Sequence, residues 1–250
     1  MSDKKVLIFD LDDTLALSKQ PVDEEMSDLL EDLIARGYII AVTSGGSFEQ
    51  FRNQFLSSLG FLPAHYESLY IMPTSGAAMY RYHLGKWINV YSHSLDEEEK
   101  SHIKSVLAKA VKDAGYWVEN PTGELIEDRK TQISYSGLGQ RASLDAKKEW
   151  DSNQEKRRKI TSLIGDELSL YDIKMGGMTT IDVTKKGVNK ALGIRELSKL
   201  LNIPIEGMLF VGDALYSGGN DEVVKETGIE AIAVSGVNET KKYLRELLGK

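Results

Sequence analysis

VLIFDLDDTL, residues Val6–Leu15, is the stretch on which the reading of the chain turns. Val6, Leu7, Ile8 and Phe9 form a short apolar run of the kind that a parallel strand buried on both faces requires. Asp10, Asp12, Asp13 and Thr14 follow at once. An acidic loop behind a buried strand lies at the carboxyl end of the sheet, where open α/β sheets bind ligands. In extended backbone Asp10 and Asp12 face one site and Asp13 points elsewhere. Two carboxylates so close repel unless a cation or a proton intervenes. Mg2+ suits them, because it takes carboxylate oxygen and shares its sphere with phosphate. The alternative is that Asp12 and Asp13 only cap the following turn.

Composition narrows the classes. The chain has 250 residues, 41% of them hydrophobic, enough for a large domain or a domain with a sizeable insertion. A formal net charge of −7 argues against a nucleic-acid or anionic-membrane partner. With no cysteine there is neither a disulfide frame nor a thiolate site. MSDKKVLIFD lacks the apolar run of a signal peptide, and no stretch approaches the length of a membrane span. A cytoplasmic protein is expected.

Beyond the acidic loop, Met26, Leu29, Leu30, Leu33 and Ile34 make one helical stripe within Val22–Gly37. YIIAVT at Tyr38–Thr43 reads as a second buried strand, Ser44–Ser47 as a small-residue loop, and Phe48–Leu59 as a helix. This βαβα order implies a parallel sheet. Ser44 and Gly45 then sit beside the first acidic loop, where a hydroxyl and backbone N–H groups hold a phosphate, or merely turn into the helix. Ser68–Val90 alternates apolar and polar residues and reads as short strands and hairpins, the exit from the first half of the core. Next come a helix at Leu95–Ala114, strands at Tyr116–Val118 and Gln132–Ser136, a helical stripe at Arg158–Leu168, and strands at Leu170–Ile173 and Met178–Val183. The core resumes with a helix at Gly187–Leu201, strands at Met208–Val211 and Ile229–Val234, a helix from Asp221 to about Thr227, and a last helix at Lys241–Leu248. The expected fold is α/β: a Rossmann-like parallel-sheet core, residues 1–84 and 187–250, carrying an inserted α+β cap, residues 85–186.

Asp213 ends a strand as Asp10 does, and Asp221 follows in the next turn. Like charges repeated at strand ends of one sheet destabilise unless they share a cation. Lys190 or Lys186 supplies the positive charge. Together these are the parts that Mg2+-dependent phosphoryl transfer needs.

DLDDTL at Asp10–Leu15, TSGG at Thr43–Gly46, GVNK at Gly187–Lys190 and GDALYSGGND at Gly212–Asp221 resemble the four motifs of the haloacid dehalogenase superfamily. The insertion resembles its cap type IIB. ISYSGLGQ at Ile133–Gln140, the pieces within Trp150–Arg158 and GGMTTIDV at Gly176–Val183 resemble eukaryotic-type phosphomannomutases and their bacterial phosphatase-like relatives. The resemblance implies that Asp10 is the nucleophile and Asp12 the general acid and base. It makes Ser44, with the Gly45 N–H, a phosphate holder and Lys190 a neutralising cation. It also implies that Asp10, the Asp12 carbonyl and Asp213 hold Mg2+, with Asn220 and Asp221 completing that shell. Lys190 is preferred to Lys186 because GVNK carries the motif's spacing. In the cap, Arg129 matches one of the mutases' phosphate-gripping arginines, whereas Gln140, Lys147 and Lys19 stand where others are expected. Lysine and glutamine do not reproduce the planar guanidinium fork. Thr180 and Asp182 match positions that contact sugar hydroxyls.

Three functions follow. The first is a phosphatase of small phosphorylated metabolites, sugar phosphates foremost, in which water attacks an aspartyl phosphate. The second is a phosphohexomutase, with a cap-to-cap homodimer implied. The third is a catalytically silent sugar-phosphate-binding module. The four histidines lack the spacing of a metal site. Glu155–Lys159 reads as a solvated helix face, and Asn238–Thr240 as a sequon without a secretory context. Met175–Met178 reads either as substrate-facing or as a tight turn.

Overall fold

The chain is described here by a computed structural model covering residues 4–250; residues 1–3, which open the segment read as lacking a signal sequence, lie outside the described residues. Two compact units divide it, one comprising the chain up to Ser92 together with Asn189–Lys250, the other His93–Val188. The first unit begins with β1 (Val6–Asp10), α1 (Glu24–Ala35), β2 (Ile39–Thr43), α2 (Phe48–Gln54), β3 (Leu69–Met72), the four-residue turn α3 (Pro73–Gly76), β4 (Ala78–His83) and β5 (Lys86–Ser92). The second holds α4 (Glu97–Asp113), β6 (Ile126–Asp128), β7 (Gln132–Ser136), α5 (Leu144–Trp150), α6 (Glu155–Ile164), β8 (Tyr171–Gly176) and β9 (Thr180–Lys185). The first unit then resumes with α7 (Lys190–Leu201), β10 (Met208–Gly212), β11 (Glu230–Ala233) and α8 (Val237–Leu248).

The core sheet has the order β11-β10-β1-β2-β3-β4-β5. Its strands from β11 to β3 are parallel, and β4 and β5 close the edge antiparallel. Both faces of β1 are covered, which is why its sequence is apolar without alternation. Leu7 and Phe9 pack with Leu30, Phe51 and Phe55 on one face, and Val6 and Ile8 with Ile194 and Leu197 on the other. By the same parity Asp10 and Thr43, register partners at the ends of β1 and β2, share the face that α7 covers. Helix α1 starts where Asp23 accepts the Met26 N–H at 2.9 Å, and its apolar stripe is buried as the spacing requires.

In the second unit the sheet order is β6-β7-β9-β8, all antiparallel. Ile133, Tyr135, Ile181 and Val183 pack against Ile103, Leu107 and Ile160 of α4 and α6. Gln132, Ser134, Ser136, Thr180, Asp182 and Thr184 alternate with them and form the other, polar face.

Several expectations shift. The unit boundaries fall at 92/93 and 188/189 rather than 84/85 and 186/187, because β5 is hydrogen-bonded to β4 from Ala78–Ser92 to His83–Lys86. The segment Ser68–Val90 is not hairpin alone, since β3 joins the parallel sheet beside β2. Tyr116–Val118 is not a strand; the Tyr116 carbonyl instead accepts the Tyr135 hydroxyl at 3.4 Å. The turn after Asp221 is 3-10 rather than α-helical, at Glu222–Thr227. The helix at Leu144–Trp150 carries no long apolar stripe and was not anticipated.

Candidate active site

Strand β1 ends on Asp10, which is 3% exposed, and β10 ends just before Asp213. Helix α7 has Lys190 as its first residue and is capped by Asn189, whose side chain accepts the Leu192 N–H at 3.1 Å. The approach of α7 depends on two glycines. A Cβ on Gly76, which has φ +84°, would lie 3.1 Å from Gly193 Cα and 3.0 Å from the Asn189 carbonyl. Only residues without side chains at this crossing let the helix start reach the strand ends.

The Lys190 ammonium donates to Asp10 Oδ1 and, at 2.5 Å, to Asp221 Oδ1. Asp221 is fully buried and its Oδ2 accepts the Ala214 N–H at 3.1 Å. Asp213 is half-buried; its Oδ1 accepts the Thr14 hydroxyl at 3.3 Å, and its N–H donates back to Thr14 at 3.1 Å. Oxygens of Asp10, Asp213 and Asp221 lie within 4.8 Å of one another.

Burial pushes the Asp10 carboxyl well above the ordinary carboxylate range, and Asp221 adds to the rise while Lys190 opposes it. Burial and then Asp221 also raise Asp213. Burial works against the Lys190 ammonium, but Asp10 and Asp221 outweigh it and lift its pKa. Two buried carboxylates and a half-buried one thus lie beside one ammonium, an all-oxygen donor set with surplus formal negative charge. A divalent hard cation fits this set, and Asp10, Asp213 and Asp221 are the side chains that could hold it.

Asp12 has its own set of partners. Its Oδ1 accepts the Lys19 N–H at 2.9 Å and the Gln54 carboxamide at 3.1 Å, and its Oδ2 accepts the Ser44 hydroxyl at 3.2 Å. Lys19 Nζ stands 3.7 Å from Oδ2. Burial works to raise the Asp12 pKa, but Lys19, Gln54 and Ser44 hold it below its usual value. The Ser44 hydroxyl also accepts the Gly46 N–H at 3.1 Å. This loop is braced by the α3 turn, where Thr74 and Ser75 adopt left-handed backbone and donate to the Gly46 and Ser44 carbonyls, each at 2.8 Å. Non-glycine residues in that conformation cost roughly 1–2 kcal/mol each, so the turn is held by its surroundings. Asn220 lies exposed in the turn before Asp221, and Asp13, with φ 60°, accepts the Ser18 N–H at the rim.

The core therefore brings together Asp10, Asp12, Ser44, Lys190, Asp213 and Asp221, with Gly45 in the same loop. Lys186 is in the other unit and donates to the Ser169 carbonyl at 3.4 Å. Within the inserted unit, Arg129 pairs with Glu127 at 2.7 Å, Gln140 donates to the other Glu127 oxygen at 2.8 Å, and Lys147 donates to the Gln140 carbonyl at 2.7 Å. Asp182 accepts the Ser134 hydroxyl at 2.7 Å, and Thr180 donates to the Gly176 carbonyl.

Sequence reasoning missed two residues. Gln54 was legible as a polar position beside the Phe48, Phe51 and Phe55 stripe. Thr43 Oγ1 carried no such signal; among the described residues it is the one buried side-chain oxygen or nitrogen without a hydrogen bond, on the Asp10 side of the sheet.

The profile of the haloacid dehalogenase-like hydrolases matches residues 7–221. A phosphomannomutase of Babesia bovis is 27% identical over 260 aligned positions, covering 99% of both chains. One from Encephalitozoon cuniculi is 24% identical over 257, covering 99% of this chain and 95% of its own. The IMP-bound IMP-nucleotidase of Plasmodium falciparum shares the fold, with a TM-score of 0.69 at 19% identity over 99% of this chain and 68% of that one. Among the described residues no helix is long and apolar enough to cross a membrane. The chain belongs to the haloacid dehalogenase-like hydrolase family and is an enzyme of the phosphohydrolase or phosphotransferase kind.

Proposed function

We propose that this enzyme is a Mg2+-dependent phosphatase of small phosphorylated metabolites, sugar phosphates foremost, with the core unit catalytic and the inserted unit selecting the substrate. The observation that carries the reading is the set of buried Asp10 and Asp221 and half-buried Asp213 beside Lys190, with Asp12 and Ser44 alongside. A bound Mg2+ supplies Lewis-acid polarisation of the phosphoryl group. Asp10 attacks phosphorus and the ester P–O bond breaks, while the departing oxygen takes a proton from Asp12. Water then attacks the aspartyl phosphate, Asp12 takes its proton, and the Asp10–P bond breaks to release inorganic phosphate. Lys190 offsets negative charge on Asp10, and Ser44 donates to a phosphoryl oxygen. Asp12 rests ionised; the dianionic phosphate arriving beside it favours its protonated form.

Hydrolysis is preferred to mutase chemistry because Glu127 engages both Arg129 and Gln140, which weakens a clamp for a second phosphate. The full-length similarity to phosphomannomutases favours the second reading, transfer to a hydroxyl of the same sugar. Phosphate release from a sugar-phosphate panel, with Mg2+ or a chelator, tests the first. Interconversion of mannose 1- and 6-phosphate, with and without a hexose bisphosphate, is followed in parallel. Steady Mg2+-dependent release without interconversion is expected, and Asp10→Asn should lower it by on the order of 10³-fold or more. Bisphosphate-dependent interconversion with little release would make the enzyme a mutase. No turnover at all would leave the silent binding module.

A further inference from the structure

We infer that Gln54 is a positioning residue for the acid–base step, fixing one oxygen of Asp12 so that the other serves the leaving group; this deepens the phosphatase reading and rests on it. The two Asp12 oxygens are held differently. Oδ1 takes two donors that do not depend on ligand, the Lys19 backbone N–H at 2.9 Å and the Gln54 carboxamide at 3.1 Å. Oδ2 faces the Ser44 hydroxyl at 3.2 Å and the half-exposed Lys19 ammonium at 3.7 Å, contacts that an incoming phosphate ester can replace. Oδ1 is therefore the anchor and Oδ2 the oxygen that exchanges a proton.

Gln54 is built for the anchoring role. An ionised carboxylate only accepts, so the carboxamide must present its NH2 to Asp12. The residue ends α2 and is 8% exposed, and its own carbonyl accepts the Val22 N–H at 3.1 Å. Phe51 and Phe55 beside it are fully buried, so the base of the side chain is fixed by packing. A buried carboxamide beside an apolar stripe is costly unless paired, and the Asp12 carboxylate pairs it. In the reaction, the proton on Asp12 Oδ2 passes to the ester oxygen as the P–O bond breaks and Asp10 bonds to phosphorus. The same Oδ2 later takes a proton from the attacking water as the Asp10–P bond breaks.

Leaving-group dependence tests this. p-Nitrophenolate departs without a proton, whereas a sugar alkoxide requires one, and kcat/KM reads the steps up to that departure. The esters compared are p-nitrophenyl phosphate and whichever of mannose 1-, mannose 6- and glucose 6-phosphate the wild type cleaves fastest. Gln54→Leu should lower kcat/KM on the sugar ester by about 10- to 100-fold and on p-nitrophenyl phosphate by less than about 3-fold. Gln54→Glu, which places a second carboxylate against Oδ1, should lose more on the sugar ester than Gln54→Leu, and it carries the comparison should the leucine variant fail to fold. Asp12→Asn combined with Gln54→Leu should lose no more than Asp12→Asn alone. Equal losses on both esters, no loss on either, or additive losses in the double variant overturn the assignment of Gln54 while leaving the phosphatase reading intact. A wild type that cleaves neither class of ester with Mg2+ overturns both.

Discussion

The two units bury ions in different ways. In the inserted unit Arg157 and Asp151 form a closed pair: Asp151, with a fully buried side chain, accepts Arg157 Nε at 2.7 Å and the Lys156 N–H at 2.9 Å, and Arg157 Nη1 donates to the Gly176 and Gly177 carbonyls at 3.1 and 2.9 Å. One charge meets one charge, the neighbouring lone pairs are used, and the pair ties α6 to the turn between β8 and β9. In the core unit Lys190 faces Asp10 and Asp221, with Asp213 close by, and the sum is negative. A balanced buried pair serves as scaffold, because breaking it leaves a lone charge in low dielectric. An unbalanced one is tolerated where a ligand completes it. The difference in balance, rather than burial as such, separates the scaffold pair from the candidate site.

That comparison can be broken at either end. The largest effect is expected in the scaffold pair: Asp151→Asn should lower stability by about 3–5 kcal/mol, read by urea unfolding followed through tryptophan fluorescence. A loss under about 1 kcal/mol would mean that the pair is not structural. At the core cluster, Mg2+ at a hundredfold its Kd should stabilise the protein by about 2.7 kcal/mol, a rise in melting temperature of roughly 5–10 °C. Asp213→Asn should remove most of that shift without lowering the melting temperature of the metal-free protein, since it relieves repulsion. A smaller effect sharpens the contrast. Thr43→Val removes an orphaned buried hydroxyl and should raise stability by about 1 kcal/mol, because an unsatisfied polar group costs about that much. A destabilised variant would show that the hydroxyl has a structural partner instead.

The smallest effect concerns the surface pairing of α8 with α1. Lys241 bonds Asp23 at 2.6 Å and Glu25 at 2.9 Å. Burial works to raise the Asp23 pKa, but Lys241 and the Met26 N–H outweigh it and hold the carboxyl low. A lowered carboxyl stabilises the folded state above the unfolded-state pKa, and that contribution is lost as pH falls through the folded value. Stability should therefore decline on acidification below about pH 4, the ordinary aspartate range. Lys241→Met should flatten that decline, by no more than about 0.5 kcal/mol because the Asp23 side chain is 56% exposed and screened. An acid limb identical in the two proteins would remove the pairing from the account.

Much of the site was legible because its chemistry follows strand ends. Asp10 and Asp213 each follow an apolar run, and a buried strand delivers its last residue to the carboxyl edge of the sheet whatever else packs on it. Ser44 follows the same rule behind β2. Gln54 escaped notice because helical periodicity reports which face is buried, not which polar residue on it meets a carboxylate forty-two positions away. The unit boundary escaped as well: Lys86–Ser92 alternates like any hairpin strand, and only its pairing with β4 assigns it to the core sheet.

By itself the sequence determined the periods and punctuation of the chain: the continuous apolar run of β1, the stripe of α1 and the acidic residues at strand ends. These are local quantities, set by how often a side chain returns to the same face. Tertiary structure alone decided which distant residues share a charge. That Lys190 meets both Asp10 and Asp221, that Gly76 and Gly193 let α7 come close enough, and that Gln140 reaches back to Glu127 all depend on three-dimensional approach. Electrostatics and packing act through distance in space, and one-dimensional spacing does not encode it.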